Sequence, residues 1–171
     1  MLNPYLSQLG YQGPNILFVF IIIALYYYKH LTNPYIYLSV LIWQLASHLL
    51  NVVMKNTLRL PRPDSHDQDA SIFQKIKNNV TWKNYMTIHR NFGMPSGHAQ
   101  AVVSEFTFLT LYFKKPLLSL VALAQVGLTL YQRYALRRHS ITQLLIGSVL
   151  GGVIGFGFYY GFKRYVTLSV Q

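Results

Sequence analysis

Three short clusters in this 171-residue sequence carry side chains suited to phosphoryl chemistry. The first is Lys55-x6-Arg62-Pro63, the second Pro95-Ser96-Gly97-His98, and the third Arg133-x5-His139. Lys55, Arg62 and Arg133 can neutralise a trigonal-bipyramidal oxyanion at phosphorus, with each arginine offering forked donors. Ser96 and Gly97 open a helix, where backbone N–H groups without intrahelical partners favour an anion. His98 and His139 can divide the remaining work: one attacks phosphorus while the other protonates the leaving oxygen. Each cluster alone has a plainer reading. A Lys or Arg at a helix end commonly snorkels to lipid headgroups. Pro-Ser-Gly is a common turn and cap. A lone His near an interface is most often a simple hydrogen-bonding group. The order and spacing of all three carry the argument.

The elements that must position them are membrane helices. The chain is 52% hydrophobic, 15% aromatic and 11% charged, against about 25% charged residues in a soluble domain. The net charge is +11 and the pI about 9.9. A basic pI can mark a nucleic-acid binder, but the basic residues here lie between long apolar runs, so nucleic acid is not expected. The absence of cysteine excludes disulfides, zinc thiolate sites and cysteine catalysis. The start, Met-Leu-Asn-Pro-Tyr, lacks a basic region and does not read as a cleaved signal peptide.

A transmembrane helix needs about 20 mostly apolar residues. Candidate spans cover 16–28, 35–54, 97–113, 116–130 and 141–162. The expected fold is therefore all-α: an integral-membrane bundle of about five transmembrane helices, one domain over 1–171, with a short polar cap loop at about 56–94. The three clusters then share one side of the membrane. The opposite short loops hold Lys29, Lys114, Lys115, Lys163 and Arg164 and no acid, which makes that side cytoplasmic. Asn79-Val80-Thr81, a glycosylation sequon in the long loop, fits the other side. Gly147, Gly151, Gly155 and Gly161 either permit close packing of the last helix or merely recur as glycines do in membrane helices.

Polar residues also fall at helical spacing inside the spans: Gln44, His48, Asn51 and Lys55; Glu105, two turns after His98; and Gln125, Thr129 and Gln132. They should face the bundle interior, either orienting the site or linking helices. In the loop, His66, His89, Asp64, Asp67 and Asp69 show no ligand spacing, so no metal is expected.

Together the clusters resemble the signature of the type-2 phosphatidic acid phosphatase superfamily, K-x6-R-P, P-S-G-H and S-R-x5-H-x3-D, over residues 55–143. The resemblance implies phosphate hydrolysis on a membrane lipid through a phosphohistidine, with no metal and no cofactor. It implies His139 as nucleophile and His98 as general acid. Lys55, Arg62, Ser96, Gly97 and Arg133 would hold the phosphate. Two positions depart from the pattern: Gln132 replaces the serine and Gln143 the aspartate. Gln143 lies four residues after His139, the spacing of neighbours on one helical face. Its amide oxygen can accept the imidazole N–H and fix the tautomer, but it supplies no negative charge.

The runs Gly93-Met94-Pro95-Ser96-Gly97-His98-Ala99-Gln100 and His139-x3-Gln143 are more specifically similar to the dolichyl diphosphatase branch, with Gly97 where that branch usually has a second serine. That likeness implies a polyprenyl diphosphate substrate and a lumenal site in the endoplasmic reticulum, or an external site at the cell membrane. Phosphatidic acid or phosphatidylglycerophosphate phosphatase is the alternative enzyme. A catalytically inactive lipid-phosphate-binding protein is the alternative of another class, with Gln143 its only support. The sequence leaves oligomeric state open.

Overall fold

Asn-Pro-Tyr occurs twice, at 3–5 and 33–35, and starts a helix each time. Asn3 Oδ1 accepts from the N–H of Tyr5 at 2.9 Å, and Asn33 Oδ1 from that of Tyr35 at 3.0 Å. The asparagine satisfies a helix-start donor and the proline supplies a fixed φ with no N–H to strand. The computed structural model describes residues 3–29, 33–60, 62 and 92–169. Their regular structure is six α-helices: α1 Pro4–Tyr11, α2 Gly13–Lys29, α3 Pro34–Leu58, α4 Gly97–Phe113, α5 Pro116–Ala135 and α6 Ile141–Ser169. Helices α2 to α6 fall on the five expected segments, but fewer than five of them are long and apolar enough to cross a membrane. Helix α1 was not expected; it bends away from α2 by 59°. Most of the cap loop, with its sequon and its His and Asp residues, lies outside the described residues.

By length and composition α3 and α6 can each cross a membrane, and the bent α1–α2 pair makes a third candidate span. The described helices bury one continuous core. Leu17, Ile21 and Leu25 of α2 meet Val40 and Trp43 of α3, Val102 and Phe108 of α4, and Val126 of α5. Trp43 stacks on Phe158 of α6 at 4.2 Å between ring centroids, and Phe108 packs against both Phe158 and Phe162. The outward faces of α3 and α6 expose Leu41, Leu45, Leu49, Val149, Val153 and Phe156, as lipid-facing positions should.

Helices α4 and α6 approach most closely, and glycine makes that possible. A Cβ at Gly151 would stand 2.3 Å from the carbonyl oxygen of Gln100, and Gly147 and Gly155 meet Ser96, the cap of α4, and Ser104 within it in the same way. Gly161 and Gly152 have open space instead. Gly151→Ala should therefore force the helices apart and cost on the order of 1–3 kcal/mol, as overpacking does. Gly152→Ala, one residue on, should be close to neutral. Thermal unfolding of both variants in detergent checks this; equal midpoints would contradict so tight an α4–α6 contact.

The polar stripe on α3 joins it to α4. Gln44 Nε2 donates to Glu105 Oε1 at 2.5 Å, and Asn51 Nδ2 donates to Gln100 Oε1 at 2.8 Å. On α5, Gln125 Nε2 donates to the carbonyl of Leu9, and Gln132 Nε2 reaches Ser7 Oγ. That second stripe thus anchors α1 over the end of the bundle.

Candidate active site

Four helix ends converge beneath α1. Lys55 sits in the last turn of α3, His98 is the second residue of α4, Arg133 is near the end of α5, and His139 lies in the turn before α6. Lys55, Arg133 and His139 are each more than 90% buried. With Arg62, Gly97 and His98 they line a cavity of about 470 Å³, closed on the α1 side by Ser7, Gln8 and Tyr11. Six of the eight candidates from the sequence therefore share one chamber. The other two stand behind it. Ser96 is fully buried and its Oγ accepts from the N–H of Ala99 at 3.4 Å, capping α4. Gln143 lies beneath His139.

The link between Gln143 and His139 is not a shared helical face, because His139 precedes the helix. Ser140 and Gln143 form a capping box at the start of α6. The Gln143 N–H donates to Ser140 Oγ at 3.3 Å, and the Ser140 N–H donates to Gln143 Oε1 at 3.2 Å. That bond identifies Oε1 as the acceptor atom. His139 Nδ1, 3.3 Å from the same oxygen, must then carry the proton. The Nε2 of His139 is left with a free lone pair. Burial, then the charges of Arg62, Lys55 and Arg133, push the His139 pKa down to about 3, against a small upward pull from Gln143. The imidazole is neutral at physiological pH.

His98 has a different partner. Arg133 Nη2 contacts its Nε2. A guanidinium has no acceptor, so His98 Nε2 accepts from Arg133 and carries no proton while that contact is made. The Tyr11 ring lies 5.3 Å from the His98 ring, and the Arg133 guanidinium sits 5.1 Å over Tyr11. This cation–π contact makes Tyr11 a shelf for both groups. Sequence reasoning missed Tyr11, Ser7 and Gln8. The signal available was Asn3-Pro4, which starts a helix of its own. Arg138 also lines the chamber and was not singled out. Among the described residues, no three His, Asp or Glu side chains gather as metal ligands would.

Such a chamber can bind a phosphate between cations and a helix start, with one imidazole poised to attack and a second beside it. The fold is that of a known class: the chain belongs to the PAP2 superfamily, whose family model matches residues 34–166. It has the fold of a membrane lipid phosphatase. A crystal structure described as the first transmembrane PAP2 type phosphatidylglycerolphosphate phosphatase from Bacillus subtilis superposes with a TM-score of 0.63 at 21% sequence identity, covering 97% of this chain and 80% of that one. Among curated proteins no sequence matches.

Proposed function

We propose that the whole chain is one lipid phosphate phosphatase domain that works through a phosphohistidine at His139. The observation that carries this is the pairing of Nδ1–H with Gln143 Oε1, which presents an unprotonated Nε2 to a cation-lined chamber. In the first half-reaction, Nε2 forms a bond to phosphorus as the P–O bond to the lipid breaks. Protonated His98 gives its proton to the departing oxygen. In the second, water attacks phosphorus, His98 takes the water proton, the N–P bond breaks, and inorganic phosphate leaves. Lys55, Arg62 and Arg133 balance the charge that develops on the equatorial oxygens. Ser96 supports the Gly97 backbone by capping α4. Gln143 positions the nucleophile, so its presence in place of an aspartate gives no support to an inactive protein.

The substrate class we favour is a polyprenyl diphosphate. The run from Gly93 to Gln100 and the glutamine at 143 support it. So does Arg138, which adds a fourth cation to the chamber beyond the three that a single phosphate group engages. The reading places the site on the lumenal or external face, opposite the end that carries Lys114, Lys115, Lys163 and Arg164. A phosphatidylglycerophosphate is the second reading, supported by the shared fold of the Bacillus subtilis phosphatase. Purified protein in detergent, assayed for phosphate release from polyprenyl diphosphates and glycerolipid phosphates side by side, tests both. Preference for the glycerolipids would sink the first reading, and no release from either would sink both. Activity should persist in chelator, because cationic side chains already match the phosphate charge. Loss in chelator with rescue by magnesium would contradict that.

A pH profile offers an independent check. His139 has its pKa lowered to about 3, so it stays neutral and nucleophilic as pH falls through 6.5, where an ordinary histidine would protonate. The kcat/KM profile should show no acidic limb from this group above about pH 4. A limb near pH 6 would belong to the second ionisation of a substrate phosphate, and should move when the substrate is changed. A fixed limb near 6.5 for every substrate would show that His139 titrates normally.

A further inference from the structure

A second chamber of about 340 Å³ lies on the other side of His98, between α2, α3 and α4. Tyr11, Gly97 and His98 line both chambers and form the partition. The walls are neutral and hydrogen-bonding: Asn15, Gln44, Ser47, Asn51 and Gln100, with His48 toward the exposed side. Unlike the phosphate chamber, it has no lysine or arginine among the described residues of its lining. One buried atom of a wall residue has a fixed polarity and no hydrogen-bond partner among the described residues. The Ser47 carbonyl can only accept, and Gln100 Nε2 donates to it at 2.8 Å. Gln100 Oε1 is therefore the acceptor for Asn51 Nδ2. Asn51 Nδ2 also reaches the Pro95 carbonyl at 3.4 Å. That leaves Asn51 Oδ1 as an acceptor, in a residue 2% exposed, with no hydrogen-bond partner among the described residues. A buried acceptor left unmet costs about 1–3 kcal/mol, so the site calls for an O–H donor. A Cβ at Gly97 would stand 3.0 Å from this oxygen; the glycine keeps the approach open.

We propose that this chamber holds the water that hydrolyses the phosphoenzyme, with Asn51 Oδ1 as the acceptor that positions it. The inference rests on the phosphohistidine reading above. In-line displacement requires the second nucleophile to reach phosphorus from the side opposite His139, and His98 marks that side. Water held by Asn51 Oδ1 through one O–H turns its other proton toward His98. Its oxygen bonds to phosphorus, the proton passes to His98, and the electron pair of the N–P bond returns to His139 Nε2. Neutral walls suit water and an uncharged hydroxyl, and they leave the anion to the chamber that holds the cations.

The test separates the two half-reactions. Farnesyl diphosphate labelled with ³²P in its terminal phosphate is mixed with detergent-purified protein and quenched over milliseconds to seconds. Protein-bound label reports phosphorylation, and free inorganic phosphate reports hydrolysis. Asn51→Leu removes the acceptor, and Ala101→Leu fills the chamber without touching the Ser47–Gln100–Asn51 chain. Each should slow phosphate release by about tenfold or more, the worth of one lost hydrogen bond, while label transfer to the enzyme stays within about twofold. Labelled enzyme should accumulate. Asn15→Leu, an exposed position on the opposite wall, repeats the filling should the α3 or α4 variants unfold. Equal slowing of both steps, or unchanged phosphate release in the filled chamber, would overturn the assignment. Absence of labelled enzyme at every time in wild type and variants alike would instead overturn the phosphohistidine reading, and the water site with it.

Discussion

His139→Ala is expected to abolish turnover. Removing the nucleophile from a covalent catalyst costs on the order of 10⁶-fold in kcat, and no neighbour can substitute. The other imidazole that lines the chamber among the described residues, His98, serves the leaving oxygen on the side opposite His139, and Lys55 and Arg133 must stay charged to hold phosphate. Binding should survive, because the cations remain. The variant should therefore bind vanadate or substrate while releasing no phosphate and taking up no label. Gln143→Leu should fall between this variant and the wild type. It leaves a buried Nδ1–H unpaired, a loss of about 1–3 kcal/mol, and removes half of the α6 capping box. Gln143→Glu keeps both acceptor roles and should retain most activity. Phosphate release and label uptake measured on all three check the order. Residual activity of more than about 1% in His139→Ala would mean that another group attacks phosphorus.

Much of this arrangement was legible in the sequence because spacing reports geometry. Lys55, His98, Arg133 and His139 each lie beside a helix boundary, and a bundle of antiparallel helices brings alternate ends together. The apolar runs gave those boundaries within a few residues. The glycines at 147, 151 and 155 could not be told from incidental ones, since only the partner helix decides whether a Cβ has room. Gln143 was read as a helical neighbour of His139, yet the contact runs through a capping box. The Ser-x-x-Gln pattern was present at 140–143, but period-based reading looks along helix faces rather than at their first turns. Tyr11 escaped for a different reason. It reaches the site only because α1 folds back by 59° and is anchored to α5 through Leu9 and Ser7. Such long-range docking leaves no local periodicity. The polar stripe on α3 had two readings, a site support and a helix link. Gln44 and Asn51 make the links to α4, and the same residues line the chamber behind His98.

His98→Ala should slow the reaction in a way that depends on the leaving group. A lipid alkoxide is a poor leaving group and needs a proton, so the loss should be roughly the 10²–10⁴-fold assigned to general acid–base catalysis. The contact with Arg133 bears on how His98 acquires its role. While the guanidinium donates to Nε2, that nitrogen cannot deliver a proton. A bound phosphate offers Arg133 a stronger, charge-assisted acceptor, which frees Nε2 and places an anion beside it, favouring protonation. Proton donor and phosphate would thus be loaded together. A phenolic leaving group bypasses the first need for that proton. With p-nitrophenyl phosphate, His98→Ala should recover most of its phosphorylation rate, and His139→Ala should recover none. The second half-reaction still needs a base to take the water proton, so His98→Ala should release one equivalent of nitrophenol quickly and then turn over slowly. Stopped-flow absorbance at enzyme concentrations high enough to see one equivalent resolves this burst. A His98→Ala variant with no burst, slowed equally on the aryl and lipid substrates, would mean that His98 holds the chamber's shape rather than moving a proton. Arg133, which also sits over the Tyr11 ring, would then be the first residue to test for that proton.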